Sequence, residues 1–320
     1  MYQRPLYQVS QKRQSVFEKL SNRRVGINLT DKAEEEKQLP VDRVALGLLL
    51  MAAAMFVIPM RDGIAKHMTE ALPVFTIAWG TYVAAAIVVV PIAMKLHGRE
   101  ALLPAGLGSQ TARTLLLVGS MTVFFFSIRT VPLANAISAY FVAPFVAAAL
   151  APVVLSERLT LPIIFAVVGG FIGVIIVLRP DGNFDINILW AVLAGILFAL
   201  YMLATRLAAR LAPPIAALAY QALLGAIVLT PFALWAGLGG ITPYLGLFAV
   251  IGVLQSLSHG LSIAAFRFAP AGILAPLVYL EIVAAVIVGF FAFGDWPETH
   301  TWIGIAIILS SGAFVVLNRE

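Results

Sequence analysis

A single carboxylate, Glu281, stands ten residues inside an otherwise apolar run over 271–293. A charge at the centre of a bilayer costs at least ~2.5–3.5 kcal/mol on insertion scales, so an acid in such a place marks a functional site by default. His259 lies in the preceding apolar run, 243–266, eight residues before Arg267. At about 1.5 Å of helix rise per residue, Glu281 and His259 fall ~15 Å and ~12 Å from the same end of two consecutive antiparallel helices. They are therefore within reach of each other. Two readings fit: a protonatable couple lining a substrate cavity, or a structural clamp between the two helices.

Gln255, Ser258, His259 and Ser262 repeat at i, i+3, i+4 and i+7, which places them on one face of a helix that is otherwise apolar. Such a stripe does not face lipid, where unpaired polar groups are costly. It lines a wet cavity or bonds to another helix, and its length and imidazole favour the cavity. Further polar groups recur inside apolar runs: Tyr201 with Thr205, Tyr220 with Gln221, and Asn135 with Ser138 near Tyr140. A tyrosine offers both a ring face and a polar tip, which suits a flat or amphiphilic ligand. Ordinary bonding between helices accounts for each of them equally well. Arg61, Asp62 and Lys66 cluster at one end of the first apolar run, with Asp62 and Lys66 spaced as an i, i+4 pair. They read as an outer gate or as interfacial anchors.

Other chemistries are excluded. There are no cysteines and only four histidines, His67, His97, His259 and His300, none spaced as metal ligands. No metal and no cofactor is expected. No phosphate-binding glycine loop is present, so nucleotide-driven pumping would need another subunit.

The elements that position these residues follow from composition. Of 320 residues, 61% are apolar and 12% charged, and the mean hydropathy is +0.96. A soluble domain carries about 25% charged residues. Residues 1–43 hold 15 of the 37 charges, leaving 22 for the remaining 277 positions. The chain reads as a polar, disordered tail over 1–43, with at most a short helix near Val16–Leu20, followed by an all-α integral membrane protein. Ten spans are predicted: 44–66, 73–94, 112–130, 133–155, 162–178, 188–208, 214–235, 243–266, 271–293 and 300–317. With the N-terminus inside, 17 of 21 basic residues, Arg113 and Arg210 among them, fall in cytoplasmic segments. The net charge of +5 thus reflects topology rather than a nucleic-acid partner. Both termini are expected in the cytoplasm and the spans in the cytoplasmic membrane. Trp190, Trp235, Trp296 and Trp302 then form an outer interfacial belt.

The chain also repeats itself at an offset of 138–140. Lys66 falls on Arg206, Pro73 on Pro213, Pro91 on Pro231, Arg129-x-x-Pro132 on Arg267-x-x-Pro270, and Glu157 on Asp295. Two units are predicted, 44–180 and 188–320, each of five helices. An odd helix number inverts the second unit, an arrangement that places a transport site at the interface of the halves. Within the first unit Gly169-Gly170-x-x-Gly173 offers a small-residue face, for packing inside the monomer or for a homodimer. Pro144 and Pro276 flank the expected cavity as hinges, and Glu157-Arg158 and Asp295 read as turns that fix the fold.

From about residue 44 onward the chain resembles the drug/metabolite transporter superfamily, in particular its EamA-type ten-helix members. The resemblance rests on Pro132-Leu133-Ala134-Asn135-Ala136-Ile137, Ala143-Pro144, Leu155-Ser156-Glu157-Arg158-Leu159 and Gly170…Gly173…Arg179-Pro180. It rests equally on Gly294-Asp295-Trp296-Pro297, Thr301-Trp302-Ile303-Gly304 and Ser311-Gly312. Asp62-Gly63-Ile64-Ala65-Lys66 looks like an element of the subgroup that includes riboflavin and S-adenosylmethionine carriers. Many members have an arginine early in the second helix where this chain has Trp79-Gly80-Thr81, and that departure argues against an anionic solute.

The inverted repeat implies carriage by alternating access, the resemblance implies a small amphiphilic metabolite as the solute, and Glu281 with His259 would make proton coupling possible. A proton-independent facilitator, or an exporter of amino acids or drugs, is the alternative within the class. An integral-membrane enzyme would need convergent acids and histidines at one membrane face. The expected partners are a small-molecule substrate and membrane lipid.

Overall fold

The computed structural model describes residues 41–155, 161–178, 185–208, 211–269 and 274–317. The segment 1–40, with the short helix expected near Val16–Leu20, lies outside the described residues. So do Ser156, Glu157, Arg158 and Leu159, Arg179-Pro180-Asp181-Gly182, Arg210, Pro270 and Arg319.

Apolar runs of this length satisfy their backbone polar groups only as helices, and every regular element among the described residues is helical. They are α1 (Val41–Met68), α2 (Val74–His97), α3 (Leu107–Ile128), α4 (Leu133–Tyr140), α5 (Val142–Leu155) and α6 (Leu161–Leu178). After these come α7 (Ile188–Ala208), α8 (Pro214–Ala236), α9 (Leu245–Phe268), α10 (Leu280–Phe293) and α11 (Thr299–Leu317). Short 3-10 turns cover Gly98–Leu102, Thr242–Tyr244 and Ala275–Tyr279. The tail expected over 1–43 is helical in its last three residues, because α1 starts at Val41.

Among the described residues, seven stretches are long and apolar enough to cross a membrane: Arg43–Met68, Val74–Leu102, Leu107–Ile128, Leu133–Leu155, Ile188–Ala208, Pro214–Ala236 and Thr242–Phe268. Ile163–Leu178, Leu277–Phe293 and Thr299–Phe314 are shorter apolar helices. Large apolar side chains stand out from the bundle, with Val153 at 83%, Trp235 at 82% and Phe291 at 81% exposure. In water such a surface would aggregate, whereas lipid solvates it.

Prolines account for the interruptions. Pro144 sits in the first turn of α5, and its ring excludes a helical bond to the carbonyl of Tyr140 four residues earlier. The predicted span 133–155 therefore breaks at Phe141 into α4 and α5. Pro276 falls in the 3-10 turn Ala275–Tyr279, so the span 271–293 also changes helix type midway. The break at Tyr140 is packed tightly. A β-carbon on Gly195 of α7 would stand 2.5 Å from the Tyr140 carbonyl oxygen and 2.7 Å from Val142.

The helices pair across long stretches of the chain. α1 packs on α9 and α3 on α7, while α1 meets α10 as α7 meets α4 and α5. α2 lies along α8 and α6 along α11. In the last pair Gly173 faces Ile308 and the carbonyl of Gly304, and Gly169 faces Ser311. The small-residue face of α6 is thus taken up by contacts within the chain.

Candidate substrate cavity

The near end of the bundle is where α1 starts, and the far end is where α1 finishes. A cavity of about 450 Å³ lies between α1, α3, α5, α7, α9 and the α4–α5 and α10 breaks, within the size range of small-molecule sites. Phe124, Tyr140, Phe141, Phe198, Tyr201 and Phe266 supply aromatic walls. Tyr140 contacts Phe124 at 5.3 Å and Phe198 at 5.2 Å, and Phe198 stacks on Tyr201 at 5.4 Å, measured between ring centres.

The polar wall comes from the α9 stripe. Gln255, Ser258, His259 and Ser262 all line the cavity, as their helical spacing requires. Glu281, in the first turn of α10, lines it as well and is 9% exposed. Glu281 and His259 share the cavity without bonding to each other. The His259 Nδ1 lies 3.0 Å from the Gln255 carbonyl oxygen of its own helix and 3.4 Å from the Ser258 hydroxyl. Glu281 has no hydrogen bond or ion pair to another described residue, and the charges whose field it feels are Arg61 and Asp62.

Arg61 and Asp62 close the far end. The Arg61 Nε and Nη2 donate to Asp62 Oδ1 at 2.9 and 2.5 Å, and Nη1 donates to Gln255 Oε1. This guanidinium ties α1 to the polar stripe of α9. Lys66 is not part of the cavity, and Asp62 is not its partner despite the i, i+4 spacing. Lys66 Nζ donates to the Val131 carbonyl at 2.7 Å, lies 3.5 Å from Asp295 Oδ2 and sits 5.2 Å over the Phe293 ring. It therefore joins the far ends of α1, the α3–α4 turn and the α10–α11 turn. Asp295 is presented to it by Gly294, whose φ of 70° wraps the end of α10 so that the Asp295 N–H donates to the Gly289 carbonyl at 3.0 Å.

Other expected residues are placed elsewhere. The Tyr220 hydroxyl meets Thr111 Oγ1 at 2.7 Å, between α8 and α3, and Tyr220 does not line the cavity. Asn135 is also absent from its walls, and its buried Oδ1 lacks a partner among the described residues. Of the α4 residues only Tyr140 reaches the cavity.

One residue was assigned to the wrong environment. Arg113, counted above with the cytoplasmic segment, is 8% exposed and lies inside α3, which begins at Leu107, five residues before the expected start at 112. Its Nη2 donates to Gln221 Oε1 at 3.1 Å, and its guanidinium lies 5.6 Å over the Tyr201 ring. An i+3 relation to buried Gln110 was the available sequence signal.

Comparison with known proteins agrees with this architecture. The sequence profile of the EamA-like transporter family matches twice, at residues 45–179 and 185–317. The S-adenosylmethionine uptake transporter of Rickettsia conorii is 30% identical over 260 residues, 81% of this chain and 88% of that protein. The riboflavin transporter of Brucella anthropi is 28% identical over 260 residues, covering 78% and 89% respectively. The riboflavin transporter of Vibrio cholerae is 27% identical over 279 residues, covering 84% and 92%. A protein crystal structure of 16% identity superposes with a TM-score of 0.61 over 86% of this chain and 96% of its own, which speaks for the fold alone. Two profile matches that together span nearly all of the chain after the polar tail show that it belongs to the EamA-like transporter family.

Proposed function

We propose that the chain moves a small amphiphilic metabolite with a flat ring system across the cytoplasmic membrane, by alternating access of two inverted five-helix halves over 44–180 and 188–320. The observation that carries this reading is the cavity of about 450 Å³, with stacked aromatic walls on one side and Arg61, Asp62, Gln255, His259 and Glu281 on the other. Aromatic walls accept the faces of a planar ring, and the polar groups select and orient its hydrogen-bonding edge. The relatives named for S-adenosylmethionine and riboflavin uptake point to solutes of that shape.

Ten spans, both termini cytoplasmic, are the topology we adopt. The paired contacts of α1 with α9 and α3 with α7 support a two-fold relation between the halves. In this orientation Phe266, near the end of α9, and Met202, in the last third of α7, line the cavity on its cytoplasmic side, which supports an opening there. Lys66 and Asp295 then seal the outer side. Glu281 is the group through which a proton is coupled: it is buried in the cavity and has no ion-pair partner among the described residues.

Counterflow into proteoliposomes tests the proposal. Vesicles preloaded with unlabelled riboflavin or S-adenosylmethionine should accumulate the labelled compound faster than empty ones, because only an alternating carrier shows exchange acceleration. Equal uptake with and without preloading, for both compounds and for a panel of flat metabolites, would refute it.

A further inference from the structure

Arg113 is a buried cation whose only hydrogen-bond acceptor among the described residues is the neutral amide oxygen of Gln221, at 3.1 Å. The guanidinium is always charged, and a buried charge is costly unless a counter-charge and further hydrogen bonds meet it. Among the described residues the Arg113 Nε has no partner, and neither amide atom of Gln110 has one. Gln110 precedes Arg113 by three residues on the same face of α3, and Gln110, Arg113 and Gln221 are 1%, 8% and 2% exposed. Arg113 and Gln110 thus keep unused buried donors on one face of α3, Gln221 meets Arg113 from α8, and no acid among the described residues is bonded to any of the three.

This cluster adjoins the cavity. Leu117, one turn further along α3, lines the cavity, and so does Tyr201, whose ring lies under the Arg113 guanidinium at 5.6 Å. The Tyr201 hydroxyl is 3.4 Å from Gln221 Oε1. Tyr201 is therefore the partition between the aromatic cavity and the cation. Arg113, Tyr201 and Gln221 each lie about two helical turns, roughly 10 Å, from the near ends of their helices.

The geometry points to an oxyanion subsite formed by Arg113, Gln110 and Gln221 on the cytoplasmic side of the cavity, which takes the carboxylate or phosphate of the transported solute when Tyr201 swings aside. This rests on the transporter reading above and narrows it to solutes that carry such a group. It also reverses the expectation drawn from Trp79-Gly80-Thr81: the cation absent from the second helix is supplied by the third. A planar guanidinium with a free Nε is suited to a bidentate oxyanion contact, and the Gln110 amide adds a neutral donor.

The test is thermal unfolding of the purified full chain, titrated with inorganic phosphate at constant ionic strength held by chloride. Phosphate should raise the midpoint saturably in the unaltered protein and in Arg99→Gln, which removes an exposed cation at the same end. Arg113→Gln should abolish the rise. Arg113→Lys keeps the charge but loses the fork, and should shift the half-saturating phosphate concentration upward by about tenfold. If Arg113→Gln does not fold, the lysine variant decides. A phosphate response unchanged by either substitution, or absent in the unaltered protein, overturns the subsite. A response to phosphatidylglycerol vesicles without one to phosphate assigns the cluster to a lipid headgroup and overturns the solute role. Counterflow is measured separately, so failure of the transporter reading shows there and not in this titration.

Discussion

Arg61 on α1 and Gln255 on α9 are bonded side chain to side chain at the far end of the cavity, across 194 positions of sequence. The same guanidinium holds Asp62, so one cation organises the polar end of the cavity. Gln255 is 8% exposed, and a buried donor that loses its acceptor costs about 1–3 kcal/mol. Gln255→Leu should therefore lower the unfolding midpoint and cut counterflow at least several-fold. Gln255→Glu keeps an acceptor for Arg61 and should retain most of the stability. Equal stability of the leucine variant and the unaltered protein would remove Arg61–Gln255 as the organising contact.

The Lys66–Asp295 contact calls for a different kind of experiment. Its side chains are 12% and 30% exposed, so solvent screens the pair only in part. Lys66→Met should lower the unfolding midpoint modestly. It should also loosen the far end, because Lys66 holds the Val131 carbonyl. The chain has no cysteine, so a Ser258→Cys reporter is free of background. Its labelling by an impermeant maleimide from the far side should rise several-fold in Lys66→Met. No change in labelling would mean that Lys66 anchors without gating.

Gly195 fixes the break between α4 and α5. Alanine there would place its β-carbon 2.5 Å from the Tyr140 carbonyl oxygen. Backbone cannot yield as a flexible side chain would, so Gly195→Ala should destabilise by about 1–3 kcal/mol as an overpacked core does. It should also push Tyr140 into the cavity and weaken solute binding. Gly119→Ala, where the nearest atom stands at 3.6 Å from the added carbon, is the matched control and should be neutral. Similar midpoints for the two variants would show that the break is not tightly packed.

Topology is open to direct measurement. Reporter fusions after Leu211 and after Arg319 should report cytoplasm, and one after Gly239 should report the outer side. The basis is the distribution of basic residues, 16 to 4 in favour of the predicted cytoplasmic segments once the buried Arg113 is left out, together with the ten predicted spans. A cytoplasmic signal after Gly239 would break the ten-span inverted arrangement.

What was legible in the sequence, and what was not, divides by the range of the interaction. The α9 stripe reached the cavity because a helical period on an apolar helix fixes a face without knowledge of the partner. Glu281 was legible for the same reason: an acid in an apolar run has few places to go. Distant partners left no local trace. Lys66 stands four residues from Asp62, yet its ligands are Val131 and Asp295, which only the folded chain brings near. Tyr220 and Gln221 are one residue apart and so about 100° apart around the helix. Gln221 faces Arg113, and Tyr220 turns to Thr111. Arg113 was misplaced because hydropathy sets the start of a span only to within a turn, and one turn separates a loop cation from a buried one.

Glu281 bears the proposed proton coupling, and it is the residue on which the mechanism can be tested most sharply. It is buried at the cavity wall, His259 is bonded to its own helix instead, and Arg61 is already committed to Asp62 and Gln255. Glu281→Gln keeps the shape and the hydrogen-bonding capacity but cannot carry a proton. If Glu281 couples transport, the glutamine variant should lose accumulation driven by an imposed pH gradient while retaining solute exchange at or near the unaltered rate. If Glu281 serves only as a structural contact, gradient-driven uptake and exchange should fall together, along with the unfolding midpoint. His259→Gln separates the two residues further. Because His259 does not bond to Glu281, its substitution should alter solute affinity more than coupling. Retention of gradient-driven accumulation by Glu281→Gln would exclude proton coupling through this carboxyl and leave a facilitative carrier.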